Sequence, residues 1–513
     1  MNTHKIITLL SIIILILTGC TKENNQINME KRESKGLSTK VNSVLYTLKN
    51  AKQYKIKNYD KQKIVIVAPE ISVENAKKAE NKIHDIFSEE YGINKKIVFV
   101  GLDDTNCYQD ELLKYIEKGN QIDIVCTGYN NVGYGALNHS CDTYQEFVNN
   151  NWLVDITKYI NSTENQKLKS LYNDEQLKSL MIDEKIYGIT GNRMFSSKVD
   201  FAFNKKLCEN NNIDLSDFNG SFKWIKEKCN ILKSNNVKCD YLFGGLNGID
   251  DIATLSGLLN EHTLLTYGIG IYKTDTGFKA VNIYEDTNIR TVVSELSELY
   301  SLGYIFDSDE QESTGEFFIK NLNEYDLINP EEPDNIVNKN VIPSYYSNIN
   351  NFVCGVCTLS ENKNLAFKVL AELYSNESLS NLLKYGKDDL SKISEEDLQS
   401  NYAYLSLGND TLTFPNKYIG EPENKLENID KLKKNAIKNP LLGFRVDLSK
   451  FDFNQLYEIN SQGENIFMGF CADNWKDSMN EISNQLKSAN IDEVLTDINR
   501  QLDEFYNGKS KSK

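Results

Sequence analysis

From residue 63 onward, short unbroken apolar runs alternate with stretches of helical spacing. Lys63-Ile64-Val65-Ile66-Val67-Ala68 is continuous and β-branched, the pattern of a strand covered on both faces. Residues 72–90 predict a helix, with Ser72 as its N-cap and Ala76, Ala79, Ile83 and Ile86 along one side. Lys96-Ile97-Val98-Phe99-Val100 predicts a second strand, 111–118 a second helix, and Asp123-Ile124-Val125-Cys126-Thr127 a third strand. This alternation predicts a parallel sheet wrapped by helices, an α/β lobe.

Past residue 140 helical spacing takes over. Val199-Asp200-Phe201-Ala202-Phe203-Asn204 alternates like a further strand, and a helix is expected around Trp224-Ile225. Residues 290–304 align Val293, Leu296 and Leu299 on one helix face and stop at Gly303. Phe352-Val353-Cys354-Gly355-Val356-Cys357 reads as a late strand, followed by a helix carrying Leu365, Val369 and Leu373. Two amphipathic helices close the chain, one with Trp475, Met479, Ile482 and Leu486, the other with Ile491, Val494, Ile498, Leu502 and Phe505. Asn490 and Glu493 have capping-box spacing before the last of them.

The N-terminus follows a different rule. A charged lead ends at Lys5, the apolar run Ile6 to Leu17 follows, and Leu17-Thr18-Gly19-Cys20 precedes a polar stretch. Twelve residues make a helix of about 18 Å, short of a hydrocarbon core of about 30 Å, so the run predicts an export signal rather than a span. Leu-Thr-Gly-Cys resembles the bacterial lipoprotein box, in which the cysteine thiol receives a diacylglycerol and becomes the new N-terminus. Cys20 is therefore the expected lipidation site, acylated with palmitate-type chains, and two acyl chains suffice for stable anchoring. Residues 21–40 are polar and without periodicity, as a flexible tether would be. Residues 41–60 leave open a short docked helix.

Hydrophobic residues at 40 % and charged ones at 25 % are ordinary for a globular chain, and 513 residues predict two or three domains. A net charge of −16 argues against nucleic acid and other polyanions and suits a neutral or cationic solute. Nine cysteines beyond Cys20, with no regular spacing, do not form a disulfide framework; they read as small buried hydrophobes, with one bridge or two left open. Cys354-Gly355-Val356-Cys357 has redox spacing, but it falls in a strand-like run instead of at a helix N-terminus, so structural cysteines are expected. Of four histidines, His4 lies in the export signal and His84, His139 and His262 are scattered, a poor basis for a metal site or a triad. No nucleophile elbow, zinc-protease, Walker or complete EF-hand pattern occurs. The expectation is no cofactor, no metal and no catalysis.

Several segments carry a resemblance. They are Asp123-Ile124-Val125, Trp152-Leu153-Val154-Asp155-Ile156-Thr157, Ile186-Tyr187-Gly188-Ile189-Thr190, Leu299 to Ile305, and Gly355 to Ala366. Together they resemble the family 1 extracellular solute-binding proteins, the lipoprotein receptors of ABC importers for sugars and oligosaccharides. Pro440-Leu441-Leu442-Gly443-Phe444-Arg445-Val446-Asp447 and the closing helix resemble the LipO-like branch with its extra C-terminal region. One departure is Lys387-Asp388-Asp389-Leu390 after Tyr385-Gly386, where that branch continues Glu-Gly-Lys-His-Tyr.

The resemblance implies an α/β, two-lobed, periplasmic-binding-protein-like fold of type II, with a ligand cleft between the lobes and additional C-terminal helices. The implied division is a signal peptide at 1–19, a lipidated flexible tether at 20–61, a first lobe at 62–190 plus 350–390, and a second lobe at 191–349 plus 391–513. It implies a monomer on the outer face of a bacterial membrane that hands a carbohydrate to an ABC permease by hinge closure. In open α/β sheets ligands bind beyond the carboxyl ends of the strands, here at Glu70, Tyr129 and Asn130, and Asn192 and Arg193. Tyr134, Phe195, Tyr345 and Tyr346 complete the expected aromatic and polar lining, since sugar hydroxyls need planar polar partners and sugar faces need rings. The rival readings are a receptor for a peptide or another small solute, a surface carbohydrate-active hydrolase, and a sensor partner for a membrane kinase.

Overall fold

The first strand runs from Lys63 to Pro69 and is buried at every position after Lys63, as its unbroken apolar run requires. In the computed structural model it is the centre of a sheet. The structure describes residues 48–511 apart from 104–107, 128–143, 192–195, 238–242, 245–247, 260–261, 306–316, 323–335, 347, 350–352, 401–406, 418–420, 436–437, 449, 452 and 472–473.

In chain order the elements used below are β1 (Lys63–Pro69), α1 (Glu70–Lys78), α2 (Glu80–Tyr91), β2 (Lys96–Leu102), α3 (Tyr108–Glu117), β3 (Ile124–Cys126), α4 (Tyr144–Asn149), the hairpin β4 (Met181–Ile182) and β5 (Lys185–Ile186), and β6 (Ser196–Asn204). Then come α5 (Phe222–Ser234), β7 (Phe243–Gly244), β8 (Ile269–Thr274), β9 (Gly277–Asn282), α6 (Thr287–Ser301), β10 (Phe317–Leu322), β11 (Ile336–Tyr346) and β12 (Cys354–Val356). The last are α7 (Lys363–Ser375), α8 (Glu377–Tyr385), α9 (Lys425–Asn435), α10 (Asn454–Ser461), α11 (Trp475–Ser488) and α12 (Ile491–Lys511).

Among the described residues two four-stranded sheets result, each with its own core, beside the two-stranded β4–β5 and β8–β9 hairpins. The first has the order β2–β1–β3–β12, parallel except for β12, which returns antiparallel beside β3. The second has the order β7–β10–β6–β11, with β6 antiparallel to both neighbours. The first core draws on Ile64, Ile66, Ile124, Val356, Leu370 and Leu382. The second draws on Phe201, Phe203, Trp224, Ile289, Trp475 and Leu502. Among the described residues no helix is long and apolar enough to cross a membrane.

The helix expected at 72–90 is two helices. The chain passes straight from Pro69 into α1, with no side-chain cap, and breaks at Ala79 (φ −101°, ψ 9°). Ser72 therefore lies inside α1 and is not its N-cap. The expected stop at Gly303 holds: α6 ends at Ser301, Leu302 is its C-cap, and Gly303 adopts φ 72°. Asn490 also takes a left-handed backbone (φ 64°), so it turns the chain between α11 and α12 and does not have the extended backbone of a capping-box N-cap.

Residues 48–61, assigned above to the tether, lie against the first core. Ala51–Gln53 form a short 3₁₀ turn, Leu48 and Ala51 are buried, the Trp152 indole N–H donates to the Lys49 carbonyl (2.9 Å), and the Lys57 amide donates to Gly119 (3.0 Å). Buried Asp123 fastens this stretch: it accepts from the Tyr59 and Ser360 hydroxyls, from Gln121 (2.8 Å) and from the Val65 amide (2.9 Å).

A second boundary also moves. Leu407 belongs to the first core, and the Lys384 ammonium on α8 meets Asp410 at 3.0 Å with side chains only 1 % and 8 % exposed. Lys425 pairs with Glu421 at 3.0 Å and donates to the Asp410 carbonyl and the Thr413 hydroxyl; burial pushes its ammonium below its usual range. Residues 407–417 and 421–425 thus pack with the first lobe, and the second core resumes at Leu441.

Candidate functional site: strand ends and the crossovers

A βαβ sheet presents the carboxyl ends of its strands on one edge, and in the first lobe this edge adjoins the segments that lead to the second. Glu70 is exposed at the end of β1, where it opens α1 and pairs with Lys77 at 3.2 Å. Its backbone passes over Gly101 near the end of β2 so closely that a Cβ there would come within 2.8 Å of the Glu70 Cα. Beyond β3, Thr127 is fully buried, exchanging its amide (2.7 Å) and hydroxyl (3.1 Å) with the backbone of Val353.

The crossovers themselves lie side by side. Ile189, on the way out, and Cys354, on the way back, bond each other's backbone twice at 2.8 Å. Glycine is obligatory at this crossing: a Cβ on Gly188 would sit 2.5 Å from a Val353 methyl, and one on Gly355 would sit 2.5 Å from the Tyr187 carbonyl. Cys354 is covalently bonded to Cys126 at the end of β3. The Cys354–Cys357 spacing is therefore not a dithiol pair. Cys357 is free and buried, and desolvation pushes its thiol up to about 12.

Near the strand-end edge Gln109 is a buried polar group with no partner among the described residues. Gln109 is 0 % exposed on the first turn of α3, on the face that continues through Leu112, Leu113 and Ile116, and neither amide atom is hydrogen-bonded.

Of the residues expected to line the site, Glu70 stands at the strand-end edge. Tyr345 and Tyr346 end β11, with their backbones in register with Ser197 and Ser196, next to the first crossover. Tyr129, Asn130 and Tyr134, Asn192, Arg193 and Phe195, and Cys20 all lie outside the described residues. Sequence reasoning missed Gln109 and the Cys126–Cys354 bond; neither has a local signal. Among the described residues no group of three or more His, Cys, Asp or Glu could hold a metal ion.

No protein-family model matches the chain, and no curated protein sequence matches it either. Solved structures do match in fold. The N-glycan transport solute-binding protein NgtS of Streptococcus pneumoniae is 19 % identical with a TM-score of 0.62, covering 87 % of this chain and 99 % of that one. Its complex with Man5GlcNAc gives a TM-score of 0.53 over the same shares, again at 19 % identity. An extracellular solute-binding protein of Bifidobacterium longum subsp. infantis is 12 % identical with a TM-score of 0.53, covering 87 % of this chain and 98 % of that one. The fold is thus the two-lobed, periplasmic-binding-protein-like α/β fold.

Proposed function

We propose that the chain is a non-catalytic, extracellular solute-binding receptor that delivers a carbohydrate or oligosaccharide to an ABC permease. The observation that carries this reading is the fold match over nearly the whole length of a solute-binding protein recorded with an N-glycan, joined to the paired crossovers at Ile189 and Cys354. A ligand that touches both lobes makes its full set of contacts only when they close, so it shifts the population toward the closed form. The permease reads that form, and no bond need be made or broken.

In this reading Glu70, Tyr129, Asn130, Tyr134, Asn192, Arg193, Phe195, Tyr345 and Tyr346 face the ligand. Cys20 carries the lipid that moors a monomer to the outer face of the membrane, and residues 21–47 are the tether.

Thermal unfolding against a panel of Man5GlcNAc, malto- and chito-oligosaccharides and short peptides tests it. A cognate sugar stabilises progressively with the logarithm of its concentration, by about 2.7 kcal/mol at a hundredfold excess over Kd. Stabilisation by peptides alone would sink the sugar, and release of new reducing ends from any sugar would sink the receptor. Cys20→Ser should abolish incorporation of a palmitate analogue in cells; retained label would remove the anchor from the proposal.

A further inference from the structure

The whole-chain charge of −16 hides a local excess of the opposite sign, and the exclusion of polyanions drawn from it does not extend to one edge of the first lobe. Residues 48–63, which dock on that lobe and lead into β1, hold six lysines and a single acid, Asp60. Lys49, Lys52, Lys55, Lys57, Lys61 and Lys63 are all exposed.

The fold gathers these lysines at the amino ends of the strands. The Asp60 amide donates to Gln121 (2.9 Å) just ahead of β3, and the Tyr59 hydroxyl bonds Asp123 and Ser360, so the stretch crosses the starts of β1 and β3 and the end of antiparallel β12. The Lys57 stem lies against Gly119, where an added Cβ would come within 2.4 Å of it, and Lys118 is exposed in the same turn. Lys63 and Lys96 are register partners at the starts of β1 and β2. The acids of this edge answer only part of the charge. Asp60 pairs with Lys63 (3.1 Å), Glu361 with Lys61 (3.3 Å) and Glu80 with Lys96 (3.7 Å), while Glu117 lies near Tyr54. Lys49, Lys52, Lys55, Lys57 and Lys118 form no ion pair among the described residues.

We propose that this amino edge is a docking face for the anionic phospholipid headgroups of the membrane. The chain ahead of it selects that occupant. Residues 21–47 join Leu48 to Cys20, and a segment of that length reaches about 95 Å at full stretch and about 30 Å as a coil. The proposed lipid therefore holds this edge, of all parts of the folded body, nearest the bilayer. Each lysine close to an anionic surface strengthens binding about fivefold, and a tether turns such weak contacts into frequent ones. Seated this way, the first lobe turns the carboxyl ends of its strands, where ligand is expected, away from the bilayer.

This docking builds on the anchor at Cys20, and its test omits the lipid so that the two fail separately. The chain from residue 20 onward with Cys20→Ser cannot be acylated there. It should cosediment with vesicles of equal phosphatidylglycerol and phosphatidylcholine at about 50 mM salt, and not with pure phosphatidylcholine. At about 0.5 M salt, where the Debye length falls to about 4 Å, it should be released. The fourfold variant Lys49→Gln, Lys52→Gln, Lys55→Gln, Lys57→Gln should partition about a hundredfold more weakly. If that variant does not fold, Lys52→Gln with Lys55→Gln tests the same edge, with a loss of about twentyfold expected.

Lys205→Gln, Lys223→Gln, Lys273→Gln, Lys279→Gln, at exposed positions of the second lobe, changes the net charge equally and should leave binding as it was. Failure to bind the anionic vesicles, full retention by the edge variant, or an equal loss in both fourfold variants overturns the docking face. Binding to a soluble glycerol-phosphate polymer in place of the vesicles also overturns it, since the lysines would then serve polyphosphate chains instead of lipid. Absence of the palmitate label in cells removes the anchor and leaves the vesicle result standing.

Discussion

Cys126 and Cys354 are bonded across the antiparallel pair that sets β12 beside β3, and the sequence between them, a separation of 228, holds both the outward crossover and the second sheet. The bond therefore closes the neck through which the second lobe is inserted into the first. Closing so long a loop restricts the unfolded chain more than it alters the folded one. The double variant Cys126→Ala, Cys354→Ala should lose about 2–4 kcal/mol in denaturant unfolding. An unchanged midpoint would mean that the neck is held by backbone pairing alone.

Lys384 and Asp410 are the more exacting pair. Both are buried, so removing one partner strands the other charge. Lys384→Met alone should cost about 3–5 kcal/mol, and adding Asp410→Asn should recover much of the loss. A double variant less stable than the single one would show that Asp410 is held mainly by Lys425 and its neighbours.

Acid should weaken the hold on α12. Asp497 is held at about 2 by its bond from Arg500, with Gln501 and Lys450 adding to the effect. A carboxyl whose pKa is lower folded than unfolded stabilises the protein above its unfolded value, and the contribution fades as pH falls through the folded one. Asp497→Asn should therefore lower the melting temperature at pH 7, with the difference from the wild type shrinking between about pH 4 and pH 2. A difference that stayed constant over that window would assign the effect to lost packing.

Gln109 is a buried amide with no hydrogen-bond partner among the described residues. Replacing it by leucine, which keeps the shape and removes the unpaired groups, should raise stability by about 1–3 kcal/mol in the unliganded protein. A decrease would mean that the amide is satisfied by water, and the urea midpoint decides between the two.

Much of the first lobe could be read from residue order. The run at 64–68 is a fully covered strand because no polar residue interrupts it, and Leu365, Val369 and Leu373 mark α7 because their spacing is helical. The break at Ala79 left no trace, since alanine favours helix and the interruption is imposed by packing. The tether was drawn too long because Leu48, Ala51 and Trp152 act together only once folded. Arg445 is illegible for the same reason: its guanidinium donates to the backbone carbonyls of Ser179, Met181 and Ile349, and any residue type offers a carbonyl. The site is written in residue types, tyrosine and asparagine near strand ends, and those types recur throughout a chain with 28 tyrosines.

The interleaving of the lobes also sets a timetable for synthesis. A chain leaves the ribosome from its N-terminus, so β3 appears long before β12, and the young first sheet waits with one edge unpaired while the second sheet is still being made. Bare sheet edges invite pairing with other chains. The nascent protein accordingly has a vulnerable interval that ends only when residues 354–356 arrive, and a helper that shields an open edge would be needed most during that interval.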